Sequence, residues 1–325
     1  MHRSQTNRQM GFRLREQMAL AKVEAGLLRG ARQYLESAGF VEIDVPRITT
    51  ATGSCENIDT LFEMNYFGRR AYLIQTAQLF LEILVSSLGK VWCYGPSFRA
   101  EPRVDRRHLT QFALLEVEFL GDFEAMLTHI ENLIAEMFRG AFRYAEKELK
   151  EMGIDRSRIE ILTKPFARVT YDEAVRVVKT KWGDDLTSSH ERTLVESFGN
   201  QPLFVTHFPT HFKFFNMRTN PDNPRIVNSA DLILSYGGEA VGAAEREFEY
   251  EKVLAKLKGS RMMSQLQRAG GGIEEFGWYL DHLRWNGSAP HAGFGVGVAR
   301  VMQSLLCRND IRRCIPFPSN KVALM

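Results

Sequence analysis

The segment that most constrains this chain is a basic loop followed by a strand-like run. The loop begins after Phe98 and carries cationic or potentially cationic side chains at Arg99, Arg103, Arg106, Arg107 and His108. Apolar and polar residues then alternate over residues 112–119, which places Glu116 and Glu118 on one face of a strand. Charges of both signs are therefore expected side by side. Taken alone, the loop equally fits a solvated hairpin tip.

A second segment, residues 291–300, has glycine at every second position from Gly293 to Gly297. Alternating glycines remove the side chains from one face of a strand, so a flat ligand can lie against the backbone. An amphipathic helix follows directly, and Arg300 lies at its start. On their own, these glycines also fit the close packing of a helix on a sheet.

Together the two segments resemble motifs 2 and 3 of the class II aminoacyl-tRNA synthetases, and the similarity extends over roughly residues 13–318. Residues 39–46 resemble motif 1, and residues 72–82 resemble the amino-acid-binding segment of the aspartyl/asparaginyl branch. Residues 208–218 and 238–247 complete the series in family order. The resemblance implies an α+β fold, an antiparallel sheet flanked by helices, and the grouping of strands around a helical middle agrees with it.

The domain organisation predicted from the sequence is a single catalytic domain over residues 13–325, after a frayed N-terminus at residues 1–12. Residues 151–200 are polar and weakly patterned, as in an insertion or connector. Full-length synthetases of this branch carry an anticodon-binding barrel before the catalytic domain, and none is expected here. The chain therefore resembles stand-alone paralogues such as the archaeal asparagine synthetase related to asparaginyl-tRNA synthetase.

The resemblance implies an ATP site. Activating a carboxylate requires attack on the α-phosphate of ATP, and the site must stabilise charge on that phosphate and on the leaving pyrophosphate. Arg99 would contact the α-phosphate and the substrate carboxylate, and Glu101 would contact adenine. Adenine would lie between Phe112 and Arg300. The outer phosphates would be bound by Arg107, His108 and Arg300.

Magnesium is the metal that the resemblance implies. Mg²⁺ prefers oxygen ligands and bridges phosphates, so a carboxylate is expected near the polyphosphate. Glu239 matches an acidic position of the asparaginyl branch, and Asp231 matches a second one. Without the resemblance, each would fit an exposed turn acid.

The amino-acid pocket requires anionic groups for the α-ammonium group of the substrate. Glu56 and Glu116 match the ammonium contacts of the family, and Gln78 matches a polar pocket residue. Lys213 and Arg246 match the residues that face the side-chain end of aspartate or asparagine. Because two cations suit a carboxylate, the expectation leans towards aspartate, although asparaginyl enzymes retain both cations.

Three positions depart from the family pattern, where the family has Glu, Glu and Arg in place of Ala299, Gln111 and Ser319. Arg99, Glu101, His108, Glu239 and Arg300 nevertheless match. The departures therefore favour altered specificity or an altered acceptor over an inactive site.

Composition sets outer limits on function. A net charge of +3 is small for 325 residues, so strong nucleic-acid binding is not expected from charge alone. The four cysteines show no CxxC spacing and no apolar signal precedes them, which favours a reduced, cytoplasmic setting. No apolar run has the length of a membrane span.

The leading hypothesis is an AMP-forming ligase that activates aspartate with ATP and Mg²⁺ and transfers it to ammonia, giving asparagine. The alternative is adenylate formation on aspartate, asparagine or a relative, with transfer to another amine, a carrier or tRNA. A non-catalytic ligand sensor is a third class, which the phosphate-binding residues disfavour. tRNA is not expected as a partner under the leading hypothesis. The motif 1 segment ending at Pro46 implies a homodimer.

Overall fold

The computed structural model describes residues 2–51 and 58–323, except for the side chains of residues 2–13, 58 and 212. An eight-stranded sheet forms the centre of the protein. The strands are β1 Val41–Glu42, β2 Ile48–Thr49, β3 Glu63–Tyr66, β4 Arg69–Leu73, β5 Lys90–Phe98, β6 Gln111–Leu120, β7 Ala167–Thr170, β8 Leu203–Thr206, β9 Ser229–Leu234, β10 Gly238–Glu245 and β11 His291–Gly297. Their order in the large sheet is β1-β5-β6-β11-β10-β9-β8-β7, and β2-β4-β3 form a small second sheet. The pairs β1/β5 and β7/β8 at the two edges are parallel, and the pairs between them are antiparallel.

Helices flank this sheet. They are α1 His2–Ser37, α2 Gln78–Leu88, α3 Phe123–Glu151, α4 Arg156–Leu162, α5 Tyr171–Val178, α6 Ser188–Ser197, α7 Tyr250–Gly259, α8 Arg261–Arg268, α9 Gly277–Asn286 and α10 Val298–Leu305. The arrangement confirms the predicted α+β class. None of the helices in the described part of the chain combines the length and the apolar character needed to cross a membrane.

Helices α1 and α3 pack closely because glycines face each other at their crossing. A Cβ at Gly30 would lie 2.2 Å from the Glu136 carbonyl oxygen, and one at Gly140 would lie 2.7 Å from the Gly30 Cα. Neither position accepts a side chain without a backbone shift. The pair covers one face of the sheet, where Leu27 and Ile134 are fully buried in the main hydrophobic core.

Strand β6 explains why the opposite face of the sheet carries polar groups. Leu115, Val117 and Phe119 belong to the core beneath α1 and α3. The alternate residues Glu116 and Glu118 line a cavity on the other face. The period of two residues read from the sequence is therefore present in the structure, and both carboxylates share one face.

The structure contains regular elements in two segments where the sequence pattern is weak. Helix α1 extends back to His2 through the segment expected to fray, and the arginine, glutamine and methionine residues of that segment have good helix propensity. The expected connector at residues 151–200 supplies three helices and the edge strand β7. Residues 213–217 follow a single 3-10 turn, and the side chains of Lys213 and Asn216 donate hydrogen bonds to buried carboxylates.

Candidate active site

A cavity of about 420 Å³ lies over the polar face of the sheet. It brings together the predicted site residues for which side chains are described: Gln78, Arg99, Glu101, Arg107, His108, Phe112, Glu116, Lys213, Asp231, Glu239, Arg246 and Arg300. The remaining one, Glu56, lies outside the described residues. Residues separated by more than 200 positions in sequence thus line one space, although the role of each remains a prediction.

The basic loop between β5 and β6 is held by a carboxylate that the sequence reasoning missed. Asp105 accepts hydrogen bonds from the backbone N–H groups of Arg107, at 2.7 Å, and His108, at 2.9 Å. Its second oxygen lies 2.7 Å from the His108 Nδ1. Partial burial opposes the charge of Asp105, but these hydrogen bonds outweigh it and lower the pKa of the carboxyl group. The loop is therefore ordered by its own aspartate, which is a common turn device.

Arg99 and Phe112 are paired within the cavity. The Arg99 guanidinium lies over the Phe112 ring, with the carbon Cζ 5.3 Å from the ring centre. Arg300 approaches from α10 and donates from Nη1 to the Gly237 carbonyl oxygen at 2.8 Å. Burial and the neighbouring charge of Arg107 lower the pKa of Arg300. We call Arg99, Arg107, His108 and Arg300 the arginine-rich end of the cavity.

The alternating glycines of β11 serve more than one purpose. Gly293 pairs with Glu118 on β6, and a Cβ at Gly293 would lie 2.1 Å from the Glu118 Cδ. Glycine is therefore required there to leave room for the carboxylate. At Gly295 and Gly297 the nearest atoms to a Cβ would be 3.7 Å and 3.4 Å away, so the backbone there borders the cavity more openly.

The other end of the cavity rests on a buried network that comprises Glu82, Glu118, Arg246, Tyr279 and His291. Arg246 donates from Nη2 to Glu118 at 2.7 Å, and both side chains are at most 5% exposed. Glu82 accepts from the Tyr279 hydroxyl at 2.6 Å and lies 3.9 Å from both Arg246 and His291. Buried charges of this kind persist in proteins when they are paired and hydrogen-bonded.

Glu82 also positions two residues that lie outside this network. It accepts from the Gln78 side chain at 2.7 Å and from the Asn216 side chain at 2.6 Å. Gln78 and Glu82 are one helical turn apart on α2, a spacing at which side chains share a helix face. That spacing was available in the sequence, whereas the partners Asn216 and Tyr279 come from distant segments.

Burial and neighbouring charges together shift the pKa values of Glu82, Glu118 and His291. Burial raises the pKa of Glu118 to about 7 against the opposing charge of Arg246, and the Glu82 carboxylate adds to the rise. Burial disfavours the charged form of His291 as well, but the negative charges of Glu82 and Glu118 and the hydrogen bond to the Ala289 carbonyl oxygen outweigh it and raise the His291 pKa. Burial would raise the pKa of Glu82, yet His291 and Arg246 outweigh it and the pKa is lowered.

Two further carboxylates line the cavity beside this network. Glu116 accepts hydrogen bonds from the Thr76 hydroxyl and from the Ala77 N–H, the latter at 2.8 Å. Asp231 accepts from Lys213 Nζ with both oxygens, at 3.0 Å and 2.9 Å. The cation predicted to bind substrate at Lys213 therefore already has an anionic partner.

The predicted magnesium ligands lie on neighbouring strands, with Asp231 on β9 and Glu239 on β10. Asp231 is bound to Lys213, while Glu239 is exposed at the cavity edge. Within the described ranges, no group of three or more His, Cys, Asp or Glu side chains is arranged to hold a metal ion. The donor set fits a magnesium ion bound chiefly through phosphates, with one protein carboxylate.

This fold is that of the class II synthetases, and the comparisons agree. The family model for tRNA synthetases class II (D, K and N) matches residues 1–321, so the chain belongs to that family. The asparagine–tRNA ligase of Pelotomaculum thermopropionicum is 37% identical over 318 residues, covering 96% of this chain and 71% of the relative. The predicted resemblance to the aspartyl/asparaginyl branch is therefore confirmed.

Solved structures give the same result. Asparaginyl-tRNA synthetase from Pyrococcus horikoshii, complexed with asparaginyl-adenylate, superposes with a TM-score of 0.86 at 36% identity, covering 95% of this chain and 70% of that one. The aspartyl tRNA synthetase of Entamoeba histolytica has a TM-score of 0.77 at 26% identity, covering 98% and 61%. Both branches thus share the fold of this chain.

Proposed function

We propose that this protein uses ATP to convert an amino acid into an aminoacyl adenylate, with release of pyrophosphate. The observation that carries the proposal is the cavity itself, in which an arginine-rich end adjoins a pocket lined by buried carboxylates. Such an arrangement suits a triphosphate at one end and an α-ammonium group at the other. Membership of the class II synthetase family supports the same reaction.

In this reaction a carboxylate oxygen of the amino acid attacks the α-phosphorus, and the bond from that phosphorus to the pyrophosphate oxygen breaks. Arg99 is positioned to bind the α-phosphate, while Arg107, His108 and Arg300 bind the outer phosphates. Arginine suits this role because its fork of donors is planar and permanently charged. Glu101 and Phe112 line the same cavity and would bind adenine.

Magnesium, when bound with ATP, would neutralise developing negative charge on the phosphates. Glu239 is the protein ligand that the geometry favours, because it is exposed at the cavity edge. Asp231 would have to exchange Lys213 for the ion, and we assign it a supporting role.

The charges in the pocket favour asparagine over the aspartate expected from the sequence. Both predicted side-chain cations are paired, Lys213 with Asp231 and Arg246 with Glu118. Glu116 adds a further buried carboxylate to the pocket lining. A second carboxylate on the substrate would experience repulsion of about 4 kcal/mol from a like charge 4 Å away at an effective dielectric constant of 20. A neutral amide avoids that repulsion.

We further propose tRNA as the acceptor of the activated amino acid. The relatives with substantial coverage are named asparagine–tRNA ligases, which supports the alternative reading of the sequence over ammonia-dependent amidation. Ester formation on tRNA and amidation by ammonia use the same adenylate, so the pocket alone does not separate them.

One set of assays tests these assignments. Pyrophosphate exchange should depend on asparagine and exceed that with aspartate by at least about tenfold, a difference of about 1.4 kcal/mol. Labelled asparagine should then enter acid-precipitable tRNA, while labelled aspartate with ammonia should yield no asparagine. Exchange with aspartate but not asparagine would contradict the substrate assignment. Conversion of aspartate to asparagine without RNA would restore the ammonia hypothesis.

Two expectations about the whole protein remain predictions. A symmetric homodimer follows from the motif 1 resemblance, and sedimentation at micromolar concentration measures it. A cytoplasmic location was inferred from the cysteines, and Cys93, Cys307 and Cys314 are free thiols in the structure.

A further inference from the structure

An ion pair between Arg107 and Glu191 lies at the boundary of the active-site cavity. Glu191 belongs to α6, in the segment that the sequence suggested was a connector. Its Oε2 atom lies 2.8 Å from the Arg107 Nη2 atom, and its side chain is 11% exposed. No motif singled this residue out, because its partner is 84 positions away.

The same pair also lines a second cavity of about 420 Å³ on the other side of the boundary. Arg107 therefore has open space in two directions, and its side chain is 30% exposed. The second cavity offers Glu196 and Asn200 as alternative polar contacts. Packing alone does not direct this arginine towards the phosphate-binding side.

The backbone at Gly238 lies close to the ion pair between Arg107 and Glu191. This residue has a positive φ of 66°, and a Cβ there would lie 2.6 Å from the Glu191 Oε2 and 2.8 Å from the Arg107 Nη2. Glycine is thus required both by the turn and by the approach of the two charged groups. The ion pair therefore packs closely against the backbone at Gly238.

We propose that Glu191 is a positioning residue for ATP, which holds the Arg107 guanidinium at the active-site cavity and keeps it out of the second cavity. This inference rests on the proposed ATP-dependent activation. A guanidinium has five N–H donors, so it can bind a carboxylate along one edge and a phosphate along another. Glu191 therefore orients the Arg107 guanidinium and leaves other N–H donors of that group available to bind phosphate.

Glu191 also offsets the accumulation of positive charge. Arg107 lowers the pKa of the partly buried Arg300, whereas Glu191 opposes that effect. Removing the carboxylate leaves two arginines that repel each other, one of which is free to rotate away. The loss should appear in ATP binding rather than in amino-acid binding, because the buried network lies at the other end of the cavity.

The test compares Glu191→Gln with Glu191→Asp and with the control Glu160→Gln, which alters an exposed carboxylate on α4 that lines neither cavity. ATP binding is measured by calorimetry, and kcat and KM by pyrophosphate exchange. Glu191→Gln should raise the Kd and KM for ATP about tenfold, as expected for loss of a charge-assisted contact. Changes in kcat and in the KM for the amino acid should stay within about twofold. Glu191→Asp should restore part of the affinity, and Glu160→Gln should match the parent.

A double-mutant cycle with Arg107→Gln separates positioning from general structural damage. If Glu191 acts through Arg107, the double variant should bind ATP no more weakly than Arg107→Gln alone. Additive losses, or a Glu191→Gln variant with parental ATP affinity, would overturn the inference. Calorimetry also keeps the two proposals distinguishable: absence of pyrophosphate exchange in the parent would reject the proposed function, whereas the effect on ATP binding would still be measurable.

Discussion

The two ends of the active-site cavity are built in different ways. The arginine-rich end is formed largely by one local loop, and its His108 side chain is 44% exposed. The buried network is assembled from five separate segments of the chain, and Glu82, Glu118 and His291 are each about 1% exposed. Charges at the first end lie where phosphate and water can reach them, whereas charges at the second are balanced almost entirely by each other.

This difference separates stability from catalysis. A partly exposed cation at the arginine-rich end costs less to remove than a fully buried one when no ligand is bound, but it is needed when phosphate charge develops. A buried charge in the network is needed at all times, because its partner has no access to water. Substitutions at the two ends should therefore affect different measurements, and the following experiments examine that distinction.

The largest expected effect is the loss of stability in Arg246→Ala. Removing this guanidinium leaves Glu118 buried beside Glu82 without its closest cation. Breaking a buried pair in this way typically lowers the free energy of unfolding by about 3–5 kcal/mol. Urea denaturation at pH 7 measures the change.

The control for this experiment is the pair of variants Arg246→Met and Arg246→Met/Glu118→Gln. The double variant removes the stranded charge, so it should be more stable than Arg246→Met alone. If Arg246→Ala lost less than about 1 kcal/mol, the buried network would not differ energetically from an ordinary surface pair.

A smaller expected effect is the loss of about 3 kcal/mol of transition-state stabilisation in each of the variants Arg99→Ala and Arg300→Ala. Each variant should lose about 100-fold to 1000-fold in the rate of pyrophosphate exchange, because an arginine opposite developing phosphate charge is removed. Their free energy of unfolding should change by less than that of Arg246→Ala, because neither variant leaves a fully buried partner charge unpaired. Near-parental exchange in either variant would contradict the ATP assignment, and a large stability loss would remove the distinction between the two ends.

The arginine-rich end was predictable because its information is local. Arg99, Arg107, His108 and the strand β6 occupy one continuous stretch, and the period of two residues in β6 fixed which carboxylates face the cavity. Asp105 belonged to the same loop, but its hydrogen bonds depend on a turn geometry that the residue pattern does not specify.

The buried network and Glu191 were not predictable in the same way. Glu82 meets Tyr279 across 197 positions, and Arg246 meets Glu118 across 128. The first contact depends on the packing of α2 against α9 and the second on strand order, and alternation along one strand determines neither. The aspartate preference rested on counting Lys213 and Arg246 as available cations, and the structure pairs both with carboxylates.

The smallest expected effect is the pH dependence of stability contributed by His291. Its pKa is raised in the folded protein above the ordinary value of 6.5. The folded state therefore holds a proton that the unfolded chain releases, so the stabilisation is fully present below pH 6.5 and is lost as pH rises through the folded pKa. Glu118, with its pKa raised to about 7, also makes stability fall as pH rises above 4.5. His291→Asn should thus flatten only the upper part of the curve of stability against pH. Asparagine retains a donor for the Ala289 carbonyl oxygen, which lies 2.7 Å from the His291 Nδ1.

Urea denaturation from pH 5 to pH 9 measures the difference, with a substitution of the exposed His211, His211→Asn, as the control. Parallel curves for the parent and His291→Asn would mean that the buried network does not hold this proton more tightly than the unfolded chain does.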